Sequence, residues 1–90
     1  MSGRCADLTG IASLAEAYDR LSRDLALPGH FGRNLDALWD ALSTDVPGPF
    51  EIVWQRSREA EARMGAEYGR LVRLLRELER ARPDVTIVLS

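Results

Sequence analysis

The chain changes hydrophobic period four times along its length, and those changes leave few folds open to it. Phe50-Glu-Ile-Val-Trp54 alternates as a half-buried strand does. Val85-Thr-Ile-Val-Leu89 is a β-branched run suited to a buried strand, and Cys5-Ala-Asp-Leu8 is a weaker first-strand signal. Between these runs the period is helical. Ser13-Leu-Ala-Glu16 has the capping-box form, in which Ser13 and Glu16 each satisfy a backbone donor at a helix start. Leu14, Tyr18, Leu21 and Leu25 follow at helical spacing and predict a helix over about residues 14–26. Pro28, Gly29 and Gly32 mark a loop. Asn34 then caps a second helix of about residues 35–43, whose inward face is Leu35, Leu38, Trp39 and Leu42. After the Pro47-Gly48-Pro49 turn and the central strand, Ser57 is the expected cap of a brief third helix ending near Gly65. Residues 67–81 form the longest helix, buried through Leu71, Leu74, Leu75 and Leu78. Tyr18 and Trp54 read as core. The order is β-αα-β-αα-β, and strands separated by helices need crossover connections, so the sheet is parallel and the fold a small α/β domain.

Ninety residues leave little room for a second core, so residues 1–90 are read as one domain. One cysteine, Cys5, excludes an internal disulfide, and the single histidine, His30, lies far from it. No metal-ligand spacing occurs and no cofactor is expected. The amino terminus lacks a basic-then-apolar signal pattern, and no apolar run approaches the ~20 residues that span a bilayer. The expected location is therefore cytoplasmic, away from a membrane. All twelve basic residues are arginine, which reads as genome composition rather than mechanism.

A net charge of −2 hides a segregated distribution. Residues 34–55 carry Asp36, Asp40, Asp45 and Glu51 with no cation, whereas residues 56–82 carry eight arginines against five acids. An anionic central segment repels nucleic acid and suits a cationic partner. On the second helix Asp36 and Asp40 sit within about 40° of each other, beside Ser43 and away from the leucine stripe. Asp36 has a plain structural reading, since a first-turn carboxylate is stabilised by the helix dipole. Asp40 has no cation three or four positions away, so the like-charge pair costs a few tenths of a kcal/mol. From the residues alone, this face is either a binding surface or a solvated one. Glu77 has Arg73 and Arg80 at helical spacing and reads as part of a salt-bridged surface. His30 lies in the loop before the second helix, where an exposed ring is either solvated or turned to a partner. Arg56 and Arg58 open the third helix without an assignable partner.

Ala26-Leu-Pro-Gly-His-Phe-Gly-Arg-Asn-Leu-Asp-Ala-Leu-Trp-Asp-Ala-Leu42 resembles the barstar family of ribonuclease inhibitors. Gly32-x-Asn34-Leu-Asp-Ala-Leu-Trp-Asp40 is the specific part. The resemblance continues through Glu51-x-x-Trp54 to Asp84-Val-Thr-Ile-Val-Leu-Ser90, thinning before residue 11 and over residues 56–70. It implies a three-stranded parallel sheet with helices packed on it. It also implies that the second helix and preceding loop plug the active site of a guanyl-specific extracellular ribonuclease of the barnase type, in a 1:1 complex formed by a free monomer. Asp40 would take the place of a substrate phosphate, Asp36 would add a second anion, and Glu77 would meet a basic rim. Gly32 and Asn34 would offer backbone and amide contacts, with Trp39 alongside. His30, Phe31, Ser43 and Asp45 complete the implied partner-binding set.

Several positions depart from the family pattern. His30 stands where the family has a stacking tyrosine, Asp45 where it has a tryptophan, and Arg33 where it has a glutamate. The family's two cysteines correspond to Ala41 and Pro83. These changes bear on which nuclease is bound more than on how. An all-arginine chain suits an actinomycete-type host, whose own guanyl-specific ribonuclease is then the expected target. The alternative is an immunity protein or antitoxin that uses the same face against a different toxin nuclease. An enzyme built on Asp36, Asp40 and His30 finds no support, because no nucleophile elbow, phosphate loop or metal motif accompanies them. An RNA-binding module is disfavoured by the anionic surface.

Overall fold

The protein is described here by a computed structural model covering residues 3–28 and 31–90. In chain order it contains β1 (Arg4–Asp7), α1 (Leu14–Leu25), α2 (Leu35–Asp40), a π-helical turn (Ala41–Asp45), β2 (Phe50–Trp54), α3 (Arg58–Met64), α4 (Ala66–Ala81) and β3 (Val85–Leu89). The strands form one parallel sheet in the order β1-β2-β3. This is the α/β architecture that the alternating periods predict.

Strand register decides where the core lies. Ala6 pairs with Ile52 and Ile52 with Ile87, so one buried row crosses the sheet, flanked by buried Phe50, Trp54 and Val85. The helices cover this face with Leu21, Leu25, Leu38, Leu71 and Leu75, all fully buried. Tyr18 and Trp54 are core, as expected, and each takes an edge-to-face ring partner, Phe31 at 5.5 Å and Tyr68 at 5.6 Å. On the opposite face Cys5, Asp7, Thr86 and Val88 are exposed. The β3 run is therefore buried on one face only, through Val85 and Ile87. It lies at the edge of a sheet covered on one side, so Thr86 and Val88 point to solvent.

Local chemistry sets most boundaries. The Ser13 hydroxyl accepts the Glu16 N–H at 3.2 Å and starts α1. The helix ends with Ala26 in the left-handed region, at φ 54°, and with the Leu27 N–H reaching the Ser22 carbonyl. Ser57 does not cap α3. Its backbone is already helical, and its hydroxyl donates to the Ser90 carbonyl at 3.2 Å, tying the end of the chain to the start of α3. β1 begins one residue earlier than the sequence signal suggests, at Arg4, whose guanidinium donates to the Leu25 carbonyl.

Two carboxylates secure the β1 side. The Thr9 N–H donates to Asp7 at 2.9 Å, and the hydrogen bonds from Thr9 hold the Asp7 carboxyl below its ordinary range. Asp24 is held low chiefly by Arg23, at 2.8 Å, with a further contribution from the Asp7 N–H. A carboxylate lowered in the folded state stabilises the fold above its unfolded pKa, about 3.9, and that contribution is lost as pH falls through the folded value. The stability gap between the parent and Asp24→Asn should therefore be present at pH 7 and shrink below about pH 4. Urea unfolding at both pH values checks this, and a gap unchanged at pH 3 would count against it.

Candidate protein-docking site

The second helix is short, and its start is built by its own sequence. The Asn34 side-chain oxygen accepts the Ala37 N–H at 2.8 Å, while its amide nitrogen donates to the Gly32 carbonyl at 3.3 Å. Gly32 leaves room for this cap: a Cβ there would come within 3.3 Å of the Asn34 amide and 3.4 Å of the Ala37 methyl, and the amide would have to give by a few tenths of an ångström. Arg33, at φ 53°, turns the chain into the cap. Its guanidinium ties the loop to α1 through Asp19 at 2.9 Å and the Ala15 carbonyl at 3.3 Å, and lies 5.6 Å from the centre of the Tyr18 ring. The Asn34 amide thus shapes the loop before it meets any partner. Asn34→Ala should cost about 0.5–2 kcal/mol of stability, and Asn34→Asp, which keeps the acceptor, much less. Equilibrium denaturation distinguishes the two.

The far end of this helix differs from the sequence expectation. A regular helix through residue 43 is replaced by α-helix to Asp40 and a π-helical turn over Ala41–Asp45. The Val46 N–H bonds to the Ala41 carbonyl at 2.9 Å instead of reaching Leu42. The Leu42 carbonyl that this releases is taken by Arg82, whose terminal nitrogen donates to it at 2.9 Å and to the Val46 carbonyl at 2.7 Å. Asp84 holds the same guanidinium through contacts of 3.1 and 2.7 Å, and the Phe50 ring centre lies 5.2 Å from it. Gly48 makes room, since a Cβ there would overlap the Asp84 carboxylate. The turn carries the coil on to Asp45 and shifts Ser43, half-buried and 3.4 Å from the Thr44 hydroxyl, out of the α-helical phase assigned to it.

Two concavities meet at Asp40. A groove of about 500 Å³ between α2 and α4 brings Asp36, Trp39 and Asp40 together with Arg70, Arg73 and Glu77. A smaller hollow of about 210 Å³ joins Asp40 to Asp45, Phe31 and Gly32. Asp40 stands on the ridge between them. Asp36, Asp40, Asp45 and Glu77 are exposed, and among the described residues none takes part in an ion pair. For Glu77 this corrects the salt-bridged reading: the pair on that stretch of α4 is Arg76 with Glu79, at 3.1 Å. Phe31 is partly buried against Tyr18 and serves as the loop's anchor. His30 lies outside the described residues. Arg82 and Arg33 were not singled out from sequence as builders of this face, and each is one arginine among twelve.

Partial desolvation and then the nearby Glu51 push the Cys5 thiol above its ordinary value, which makes it a poor nucleophile. Among the described residues no group of acidic, histidine and cysteine side chains is placed to hold a metal, and no helix is long and apolar enough to cross a membrane.

Fold and site together define a small α/β protein that leaves an acidic helix open to solvent. Its whole length, residues 1–90, matches the family model described as Barstar (barnase inhibitor), and the chain belongs to the barstar family. A Bacillus subtilis (strain 168) protein named "Putative ribonuclease inhibitor YrdF" is 30% identical to it over 67 residues, 74% of each chain.

Proposed function

We propose that this protein inhibits a microbial guanyl-specific ribonuclease of the barnase type. It acts in the cytoplasm as a monomer that covers the enzyme's active site in a one-to-one complex, without cofactor or turnover. The observation that carries this reading is the pair Asp36 and Asp40, exposed on a capped helix and without an ion-pair partner among the described residues. A ribonuclease site is built to hold polyanions, so fixed carboxylates make an effective decoy for phosphate. Asp40 occupies the phosphate position and Asp36 supplies the second anion. Trp39 lines the groove beside them, Ser43 meets the partner from the π-helical turn, Gly32 and Asn34 contribute backbone and amide contacts, and Glu77 meets a basic rim. Phe31 and Asp45 border the smaller hollow, and His30 belongs to the same partner-binding set. Membership of a family described as barnase inhibitors, and a relative named as a ribonuclease inhibitor, support an inhibitor rather than an enzyme.

The test is RNA cleavage by purified guanyl-specific ribonucleases titrated with this protein. Activity should fall linearly and vanish at a one-to-one ratio. Full activity at tenfold excess, across several such enzymes, would remove this target and leave a different toxin nuclease as the partner.

A further inference from the structure

The groove between α2 and α4 is not uniformly acidic. Arg70 and Arg73 line it with Asp36, Asp40 and Glu77, both are exposed, and neither makes a hydrogen bond or ion pair to the described residues. Against a purely cationic partner these two guanidiniums would be repulsive, and like charges brought together across an interface cost affinity. Their place in the groove fits a partner that carries a negative group beside its cationic site.

A guanyl-specific ribonuclease has a chemical reason to carry one. The edge of guanine presents two parallel donors, N1–H and the 2-amino group, and a carboxylate accepts both. Base and phosphate belong to the same nucleotide, so that carboxylate must lie next to the phosphate-binding cations. A guanidinium offers the same parallel pair of donors to a carboxylate. Resting on the ribonuclease-inhibitor reading, we propose that Arg70 and Arg73 are specificity-determining contacts. A guanidinium of this pair takes the place of the guanine edge against the nuclease's guanine-reading carboxylate, while Asp40 and Asp36 take the place of phosphate. The α2–α4 groove then presents both charges of a guanylate.

A double-mutant cycle tests this by calorimetry, with a purified guanyl-specific ribonuclease and its variant in which the guanine-reading carboxylate is replaced by the corresponding amide. The Arg70→Gln/Arg73→Gln protein should bind the unmodified nuclease about tenfold more weakly or worse. Against the amide variant its loss should shrink to within about twofold. Unchanged affinity for the unmodified nuclease, or an equal loss against both, would overturn the assignment. Asp40→Ala measured in parallel separates the two levels. Full affinity in that variant sinks the ribonuclease reading itself, whereas a large loss there beside neutral arginine substitutions sinks only the guanine mimicry. Both arginines are exposed and unbonded among the described residues, so the double variant should fold as the parent does.

Discussion

Asp40→Ala should weaken binding to the target nuclease by about 2–5 kcal/mol, roughly 30- to 4,000-fold, and leave the fold intact. The two halves of this expectation have separate causes. Asp40 is exposed and has no ion-pair partner among the described residues, so its carboxylate supports nothing inside the molecule that its loss would undo. It stands on the ridge between both concavities, where docking of the proposed partner would strip it of water. Removing it leaves the nuclease's phosphate-binding cations buried without their counter-charge, and that penalty makes up much of the loss. The range is set in part by the barnase–barstar complex itself, the prototype of this family, and is carried over from it. Inhibition constants and thermal melts of the two proteins check the prediction together. Equal inhibition by the variant would mean that the nuclease is held elsewhere.

Arg82→Met should lower stability by about 2–4 kcal/mol, which for a chain of this size depresses the unfolding midpoint by about 10 °C or more. Its guanidinium satisfies the Leu42 and Val46 carbonyls, forms a two-point contact with Asp84 and lies over the Phe50 ring, with only 16% of the side chain exposed. Methionine keeps the stem but leaves two part-buried carbonyls and a carboxylate without their donors. Arg82→Lys should not restore the parent, because an ammonium cannot reproduce the planar fork that spans these acceptors. Since Arg82 also holds the π-helical turn, the variant should lose some affinity through displacement of Asp45 as well. Urea unfolding is the measurement, and a change below about 0.5 kcal/mol would show that the clamp contributes nothing, as for an ordinary surface arginine.

The two cases show where sequence is sufficient and where it is not. That Asp40 stands exposed and without an ion pair among the described residues is legible in the sequence, because a helical wheel needs only local spacing and the position has no cation within a turn on either side. The β-αα-β-αα-β order was legible for the same reason: period, caps and Pro/Gly punctuation are all local. The π-helical turn was not, because Ala41-Leu-Ser-Thr-Asp45 has nothing against a regular helix. What permits the wider winding is a guanidinium some forty positions later, available to the released Leu42 carbonyl. In sequence Arg82 is only a cation at a helix end before Pro83. Glu77 was misread for a related reason, since helical spacing allows a pair with Arg73 or Arg80 but does not choose the rotamers that would close it. The β3 run reads as a buried strand because composition reports β propensity, while its place at the edge of a sheet covered on one side, with alternate residues exposed, depends on the whole topology. Likewise, nothing local brings Arg70 and Arg73 of α4 beside Asp36 and Asp40 of α2; the packing of two helices does.

That α2 fills the nuclease's phosphate site is tested most directly by competition. The dissociation constant of the complex would be measured against increasing guanosine 3′-monophosphate, at constant ionic strength so that salt screening does not contribute. If Asp40 and Asp36 replace the phosphate, the apparent constant rises in proportion to the nucleotide concentration once the enzyme's nucleotide site begins to fill. An apparent constant that stays unchanged with that site saturated would mean that protein and nucleotide bind together, and the acidic helix would not be the plug.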